Sequence, residues 1–346
     1  MKPIGKVLYL LAFFAFFIAV DAESAKVTWD EKNIYVDGKL FYVKGICYSL
    51  NRGPEQAFLS IPFEVWEKDF KMIAGAGINT IRTYAPLPPP ILDLAHEYGL
   101  KVIENICYPT EKTDYTSKAD LEMLKRTALA YVKRDKNHPA ILMWSIWNDM
   151  PFKWSEGGSI LNKYSKKTVN SFLKELYLAI KEQDMNHPVT GSNTLPKSGE
   201  EIGFDFLDVI GFNAFLGISD WFKGKFRLHL AKKQVRKIKR IASLKYKKPA
   251  LILETGYSTY CRAHDQGKIL NTQIKLAGSD VAGVVVFQWA DGWEKAGNHL
   301  ILDDHIEEHW GIVDGYRNKK SGYNAVSRIF GAIPTCSKGY GGIGRF

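Results

Sequence analysis

Ile141-Leu-Met-Trp-Ser-Ile-Trp-Asn-Asp149 and Ala250-Leu-Ile-Leu-Glu-Thr-Gly-Tyr257 share one pattern. Each is an apolar, strand-like run that ends abruptly in a carboxylate, Asp149 in the first and Glu254 in the second. In a parallel barrel, residues at the C-terminal ends of the strands face one common mouth. The two carboxylates are therefore expected to converge on one pocket, the arrangement that cleavage of a glycosidic bond requires. The competing reading is structural: two unrelated strand-end acids, each bound to a helix N-terminus or an arginine.

Strand and helix patterns alternate on both sides of these runs. Residues 26–40 read as a β-hairpin, because Asp37-Gly38 between alternating apolar residues favours a tight turn. Strands follow at 41–47, 79–84, 101–106, 140–149, 188–193, 206–215, 250–254 and 283–289, with helical spacing between them. Eight strands joined by right-handed helical crossovers predict a single (β/α)8 TIM barrel with an N-terminal β-hairpin, spanning residues 23–332. The fourth and seventh strands then lie nearly opposite each other across the mouth. The Gly/Ser-rich residues 333–346 are expected to form a flexible tail.

At the start, Lys2 and Lys6 precede an apolar stretch from Val7 to Val20, followed by Asp21 and Ala22. That is a secretory signal-peptide pattern with cleavage after Ala22, which predicts an exported protein, periplasmic or secreted. An uncleaved, membrane-associated anchor is the competing reading, although the run is short for a full span. Of the four cysteines, Cys47 and Cys107 fall near the ends of the first and third strands, and their pairing is an open expectation.

The formal net charge of +10 is local. Residues 222–248 hold twelve Lys and Arg and no Asp or Glu, so the remainder is nearly neutral. Leu228, Val235, Ile238 and Ile241 recur there at helical spacing, which predicts a basic amphipathic helix. It reads first as an outer barrel helix with a solvated face, and second as a docking face for an anionic polymer or membrane surface. Nucleic acid is not an expected partner, since the chain has no recognisable nucleic-acid module.

Motifs along the chain resemble the clan A glycoside hydrolases, most closely the barrel of the β-galactosidase/β-glucuronidase family. There are echoes of cellulase-like and β-1,3-glucanosyltransferase barrels. Phe41-Tyr-Val-Lys-Gly-Ile46 is similar to that family's opening strand, and Gly77-Ile-Asn-Thr-Ile-Arg-Thr-Tyr84 to its second. His138 to Asp149 resembles the fourth-strand motif, Asp208-Val-Ile-Gly-Phe-Asn-Ala-Phe215 the sixth, and Leu251-Ile-Leu-Glu254 the nucleophile strand. Phe287-Gln-Trp289 and His309-Trp-Gly-Ile-Val-Asp314 resemble the eighth strand and its loop.

The resemblance implies Glu254 as nucleophile, Asp149 as acid/base and Arg82 as support for Glu254. It implies Asn148 on a sugar hydroxyl, Asn213 on the sixth strand and Trp289 as a platform under the sugar ring. No cofactor is implied. Two departures stand out. The family's acid/base Glu is Asp149 here, one methylene shorter, beside a bulky Trp147. The sixth-strand Tyr that commonly contacts the nucleophile reads as Phe215, leaving Tyr257 or Tyr260 to replace it.

Tyr48, Tyr84, Tyr108, Trp154, Trp221 and Trp293 fall in strand-end loops, where aromatic faces suit stacking on sugars. Glu104 on the third strand is a substitute acid or a paired structural carboxylate. His138 and His187 precede strands at the far end of the barrel and read as structural. His299, Asp303, Asp304, His305, Glu308 and His309 crowd one loop without an established metal-ligand spacing. The sequence thus predicts a retaining hydrolase or transglycosidase of β-linked glycans, a polymer in particular because no β-sandwich domain accompanies the barrel. The alternatives are a degenerate glycan-binding barrel and a membrane-surface scaffold.

Overall fold

The computed structural model describes residues 25–49, 62–107, 109, 113–150, 160–197, 199–292 and 305–333. The N-terminal apolar stretch, the tail from residue 334, Tyr108, Trp154, Trp293, His299, Asp303 and Asp304 lie outside the described residues.

Three short antiparallel strands come first: β1 (Val27–Trp29), β2 (Ile34–Val36) and β3 (Lys39–Leu40). The anticipated Asp37-Gly38 turn joins β2 to β3, with φ of 51° and 73° at its two residues. A second turn precedes it, held by the Asp30 carboxylate, which accepts from the backbone N–H of Lys32 and Asn33 at 2.7 Å. Val27 and Ile34 pack with Val43, Val209 and Ala282 at the start of the barrel strands, so the hairpin closes the bottom of the barrel.

Eight parallel strands follow and close on themselves. They are β4 (Val43–Cys47), β5 (Thr80–Arg82), β6 (Lys101–Asn105), β7 (Ile141–Ser145), β8 (Val189–Thr194) and β9 (Val209–Asn213). A two-stranded hairpin of β10 (Ile218–Asp220) and β11 (Lys225–Phe226) interrupts before β12 (Ala250–Thr255) and β13 (Gly283–Val286). Val43, Ile103, Leu142, Val209, Leu251, Leu253 and Val285 fill the interior. Ile46, Ile81, Val102, Trp144, Ile210, Ile252 and Val284 form a second, outer core against the helices. Burying apolar side chains on both faces of every strand is what a helix-covered parallel sheet demands.

The helices are α1 (Phe63–Gly75), α2 (Pro89–Glu97), α3 (Lys118–Asp135), α4 (Lys166–Gln183), α5 (Leu228–Lys239), α6 (Thr259–Arg262), α7 (Gln266–Ala277) and α8 (Ser321–Ala332). Ser117 and Ser165 cap α3 and α4, each hydroxyl accepting a first-turn backbone N–H. The basic helix α5 continues into a π-helical stretch over Arg240–Tyr246. Val235, Ile238 and Ile241 bury the expected stripe, but Leu228 does not belong to it and stays 47% exposed.

Cys47 and Cys107 are free thiols, not a disulfide. Cys47 packs in the barrel interior and Cys107 in the outer core, two strands away. Strands spaced about 4.8 Å apart, with the thiols on opposite faces, hold the pair beyond bridging reach.

Candidate active site

Arg82 organises the mouth. It sits at the end of β5, fully buried, and its guanidinium spans two strand ends. Nη1 pairs with Glu254 Oε1 at 2.5 Å and Nη2 donates to Asn148 Oδ1 at 2.6 Å. The charge of Glu254 contributes to raising the guanidinium's proton affinity against the opposing cost of burial.

Strict alternation along β12 would send Glu254 outward, because Leu251 and Leu253 already point in. The pairing of β12 with β9 shifts register between Ile252 and Glu254, and this irregularity turns the carboxylate into the mouth. Tyr84, just past β5, donates its hydroxyl to the same Oε1 at 2.8 Å. Burial first, then the neighbouring Cys47 and Glu254, raise the Tyr84 phenol well above its ordinary range, so it stays a donor.

Asp149 lies on a turn, not on the strand, since β7 ends at Ser145. Hydrogen bonds tie the turn to β8: Ser192 N–H donates to Trp147 O, and Met150 N–H to Ser192 O, both at 3.1 Å. Between these anchors Asp149 takes a left-handed backbone with φ of 53°, a conformation that Asp tolerates better than most residues. Its two oxygens accept from Asn148 Nδ2 at 2.8 Å and Asn213 Nδ2 at 2.7 Å. Burial, reinforced by the charge of Glu254, pushes the Asp149 carboxyl up to about 7 against those amides and Arg82. The chain Asp149–Asn148–Arg82–Glu254 thus joins the two carboxylates through three hydrogen-bonded contacts. One carboxylate is held by a cation and a phenol, while burial pushes the other up to about 7.

Aromatic rings wall the mouth beside Glu254. Phe215 meets Trp221 at 4.6 Å, Trp310 at 5.1 Å and Phe287 at 5.7 Å between ring centroids, and Trp221 meets Trp310 at 4.6 Å. Phe287 and Trp310 did not stand out in the sequence as site residues. Their signal was the motif around the eighth strand, where the platform was assigned to Trp289, two residues late.

Several expectations are corrected. Trp289 is no sugar platform: β13 ends at Val286, and Trp289 faces the outer core against Tyr323 and Ile312. Tyr48 is likewise buried outside the mouth, its ring against Trp66 and Phe70 and its hydroxyl on Asp69 at 3.0 Å. Glu104 points outward, accepting the Leu87 N–H at 2.8 Å; burial, with Asp135 beside it, raises its carboxyl well above the usual range. Trp147 does not narrow the site but fills the outer core where Gly191 and Gly203 leave room for it.

Neither Tyr257 nor Tyr260 replaces the sixth-strand phenol. Tyr257 donates to Gly224 O at 2.8 Å, and Tyr260 is turned toward His309. Tyr84 supplies the hydroxyl instead. His187 and His138 meet Asp184 and Asp93 at 2.7 and 3.0 Å at the bottom of the barrel, as their position implied. Among the described residues no group of three or more His, Cys, Asp and Glu is arranged to hold a metal ion.

A closed eight-stranded barrel with two carboxylates at the C-terminal strand ends, linked through Arg82 and Asn148, is the architecture of a glycoside-hydrolase barrel. Residues 27–273 match the TIM barrel domain of glycosyl hydrolases family 2, and the chain belongs to that family. It is 28% identical over 301 residues to a β-glucuronidase of Rattus norvegicus, covering 82% of this chain and 40% of that protein. A β-galactosidase of Bacteroides ovatus is 29% identical over 208 residues, 53% of this chain and 24% of its own. The chain therefore spans less than half the length of these relatives. A β-glucuronidase structure from Faecalibacterium prausnitzii superposes with a TM-score of 0.73 at 19% identity, covering 90% of this chain and 52% of that one. One from an uncultured Clostridium gives 0.72 at 20% identity, with 89% and 54% covered. At such identities these structures support the fold.

Proposed function

We propose that the protein is a retaining β-glycosidase or transglycosidase acting on a β-linked oligo- or polysaccharide, with Glu254 as nucleophile and Asp149 as acid/base. The observation that carries this reading is the asymmetric treatment of two linked carboxylates. Glu254 accepts from Arg82 and Tyr84, which suits an anion, while Asp149 is pushed up to about 7, which suits a proton donor.

In this scheme Glu254 attacks the anomeric carbon as the bond to the leaving oxygen breaks and Asp149 delivers its proton to that oxygen. A covalent glycosyl-enzyme results. Asp149, now ionised, takes a proton from water or an acceptor hydroxyl, which attacks the same carbon and releases Glu254. Hydrolysis and transfer differ only in that acceptor. Arg82 and Tyr84 orient Glu254, and they stabilise it as charge returns to it. The aromatic wall provides an apolar surface for a sugar ring. The left-handed turn at residue 149 supports a short acid here, since Asp occupies such a backbone readily. The N-terminal pattern supports export as the setting for this activity.

A second reading, a glycan-binding barrel without turnover, draws on the two amides that already occupy both Asp149 oxygens. Mass-spectrometric product analysis on a panel of β-glucans, β-mannans and acidic exopolysaccharides, with Glu254→Gln alongside, separates the two. Products that disappear in the variant support catalysis, and their lengths distinguish hydrolysis from transfer. Binding with an intact panel supports the second reading.

A further inference from the structure

From the end of β5 into α2 the chain reads Thr83-Tyr-Ala-Pro-Leu-Pro-Pro-Pro90. Proline has a fixed φ and no N–H, and the residue before a proline is confined to extended backbone. Ala85 and Leu87 each precede a proline, so the segment from Tyr84 into α2 is stiff. From Pro86 to Pro90 it has a single amide N–H, that of Leu87.

That N–H is held by the neighbouring strand. It donates to Glu104 Oε1 on β6 at 2.8 Å, while the Leu87 carbonyl accepts from Arg134 Nη2, in the last turn of α3, at 2.6 Å. Arg134 also donates to both oxygens of Asp135 at 2.7 Å, and Asp135 lies beside Glu104. Glu104, Asp135 and Leu87 are all buried. A further tie comes from Asn105, whose Nδ2 donates to the Tyr84 carbonyl at 3.2 Å. Burial, followed by the Asp135 charge, raises the Glu104 carboxyl well above its ordinary range. A protonated acid accepts on one oxygen and donates from the other, a pattern that a glutamine amide reproduces.

A stiff segment anchored at Leu87 fixes where its other end lies, and that end carries Tyr84. The Tyr84 hydroxyl donates to Glu254 Oε1 beside Arg82. Glu104 itself faces away from the mouth and takes no part in the proposed chemistry.

We propose that Glu104 is a positioning residue for the reaction: through the Leu87 amide, with Asp135 and Arg134 behind it, it holds the Tyr84 hydroxyl on Glu254. The proposal rests on the reading of Glu254 as nucleophile and adds to it a residue from the outer core. Without the acceptor at residue 104 the proline segment shifts as one piece, and Tyr84 loses its contact.

The test compares Glu104→Met and Glu104→Gln in the full chain, each alone and combined with Tyr84→Phe. Kinetics are measured on the best substrate of the glycan panel. The Tyr84 resonance is followed by NMR in protein isotope-labelled at the tyrosine ζ-carbon and is assigned by its loss in Tyr84→Phe. Glu104→Met is expected to lower kcat/KM by roughly fivefold or more, through kcat, and to move the Tyr84 resonance. Glu104→Gln, which keeps an acceptor for Leu87 and a donor toward Asp135, should restore both. In the Tyr84→Phe background Glu104→Met should cost less than about twofold, because the contact it supports is already gone.

A merely structural Glu104 gives the same loss with and without the Tyr84 hydroxyl, and that result overturns the proposal. So does an unmoved Tyr84 resonance in Glu104→Met, which would leave the Arg82 guanidinium, 4.8 Å from the centre of the Tyr84 ring, as the group that holds it. Should Glu104→Met fail to fold by circular dichroism, Arg134→Gln, at a partly exposed position, is read in its place by the same criteria. Absence of turnover in wild type counts against the proposed chemistry alone, because the Tyr84 resonance decides the positioning role without it.

Discussion

The Tyr84 hydroxyl donates to Glu254 Oε1 at 2.8 Å, reaching from the end of the second barrel strand to the end of the seventh. The proposed nucleophile thus takes a phenol from the second barrel strand, while Phe215 on the sixth contributes only a ring. Tyr84→Phe removes a hydrogen bond to a charged group, worth about 1.5–3 kcal/mol. The expected loss in kcat/KM is about ten- to hundredfold, with the fold intact by circular dichroism. An unchanged kcat/KM on the best substrate found would show that Arg82 alone positions Glu254.

The state of Asp149 sets the alkaline side of the pH profile. A proton donor pushed up to about 7 predicts kcat/KM falling as pH rises through neutrality, and Asp149→Asn should remove that limb together with most of the activity.

Stability carries the same signature with a definite sign. A carboxyl raised from 3.8 to about 7 binds more protons in the folded than in the unfolded chain between those values. Its contribution to stability is therefore fully present below the lower value and is lost as pH rises through the upper one. The difference in Tm between pH 5 and pH 8 should shrink in Asp149→Asn. A difference equal to that of wild type would place the titration elsewhere.

Arg82 and Glu254 form a buried pair whose disruption leaves one charge unmatched. Arg82→Met is expected to cost about 3–5 kcal/mol in denaturant unfolding. The double variant Arg82→Met/Glu254→Gln should be more stable than the sum of the two single losses implies. Simple additivity would mean that the pair does not interact in the folded protein.

Gly191 exists to make room for Trp147. A Cβ there would lie 2.1 Å from the indole, so Gly191→Ala should destabilise by about 1–3 kcal/mol through overpacking. Trp147→Ala in the same chain should recover part of the loss, and a chemical melt of the three variants checks it.

The barrel was legible because its strands are apolar on both faces and its helices amphipathic, patterns that depend on short-range periodicity. Glu254, Asp149, Arg82, Asn148 and Asn213 were legible because each stands at the end of such a run. The sequence also placed Tyr84 in the mouth, although as a stacking surface and not as a hydrogen-bond donor.

Facing is what it misjudged. Trp289 and Tyr48 sit at strand ends as expected, yet both turn into the outer core, and Phe287 takes the wall. Alternation with a period of two holds only while a strand stays in register, and a single irregularity reverses every later side chain. The shift in β12 that turns Glu254 inward, and the hydrogen bonds to β8 that bend Asp149 into a left-handed turn, arise from neighbouring strands. From the sequence alone the strand ends that form the mouth can be read, with Glu254, Asp149, Arg82, Asn148 and Asn213 among their residues. Tertiary structure decided which of them face into it, because that depends on contacts between strands far apart in the chain.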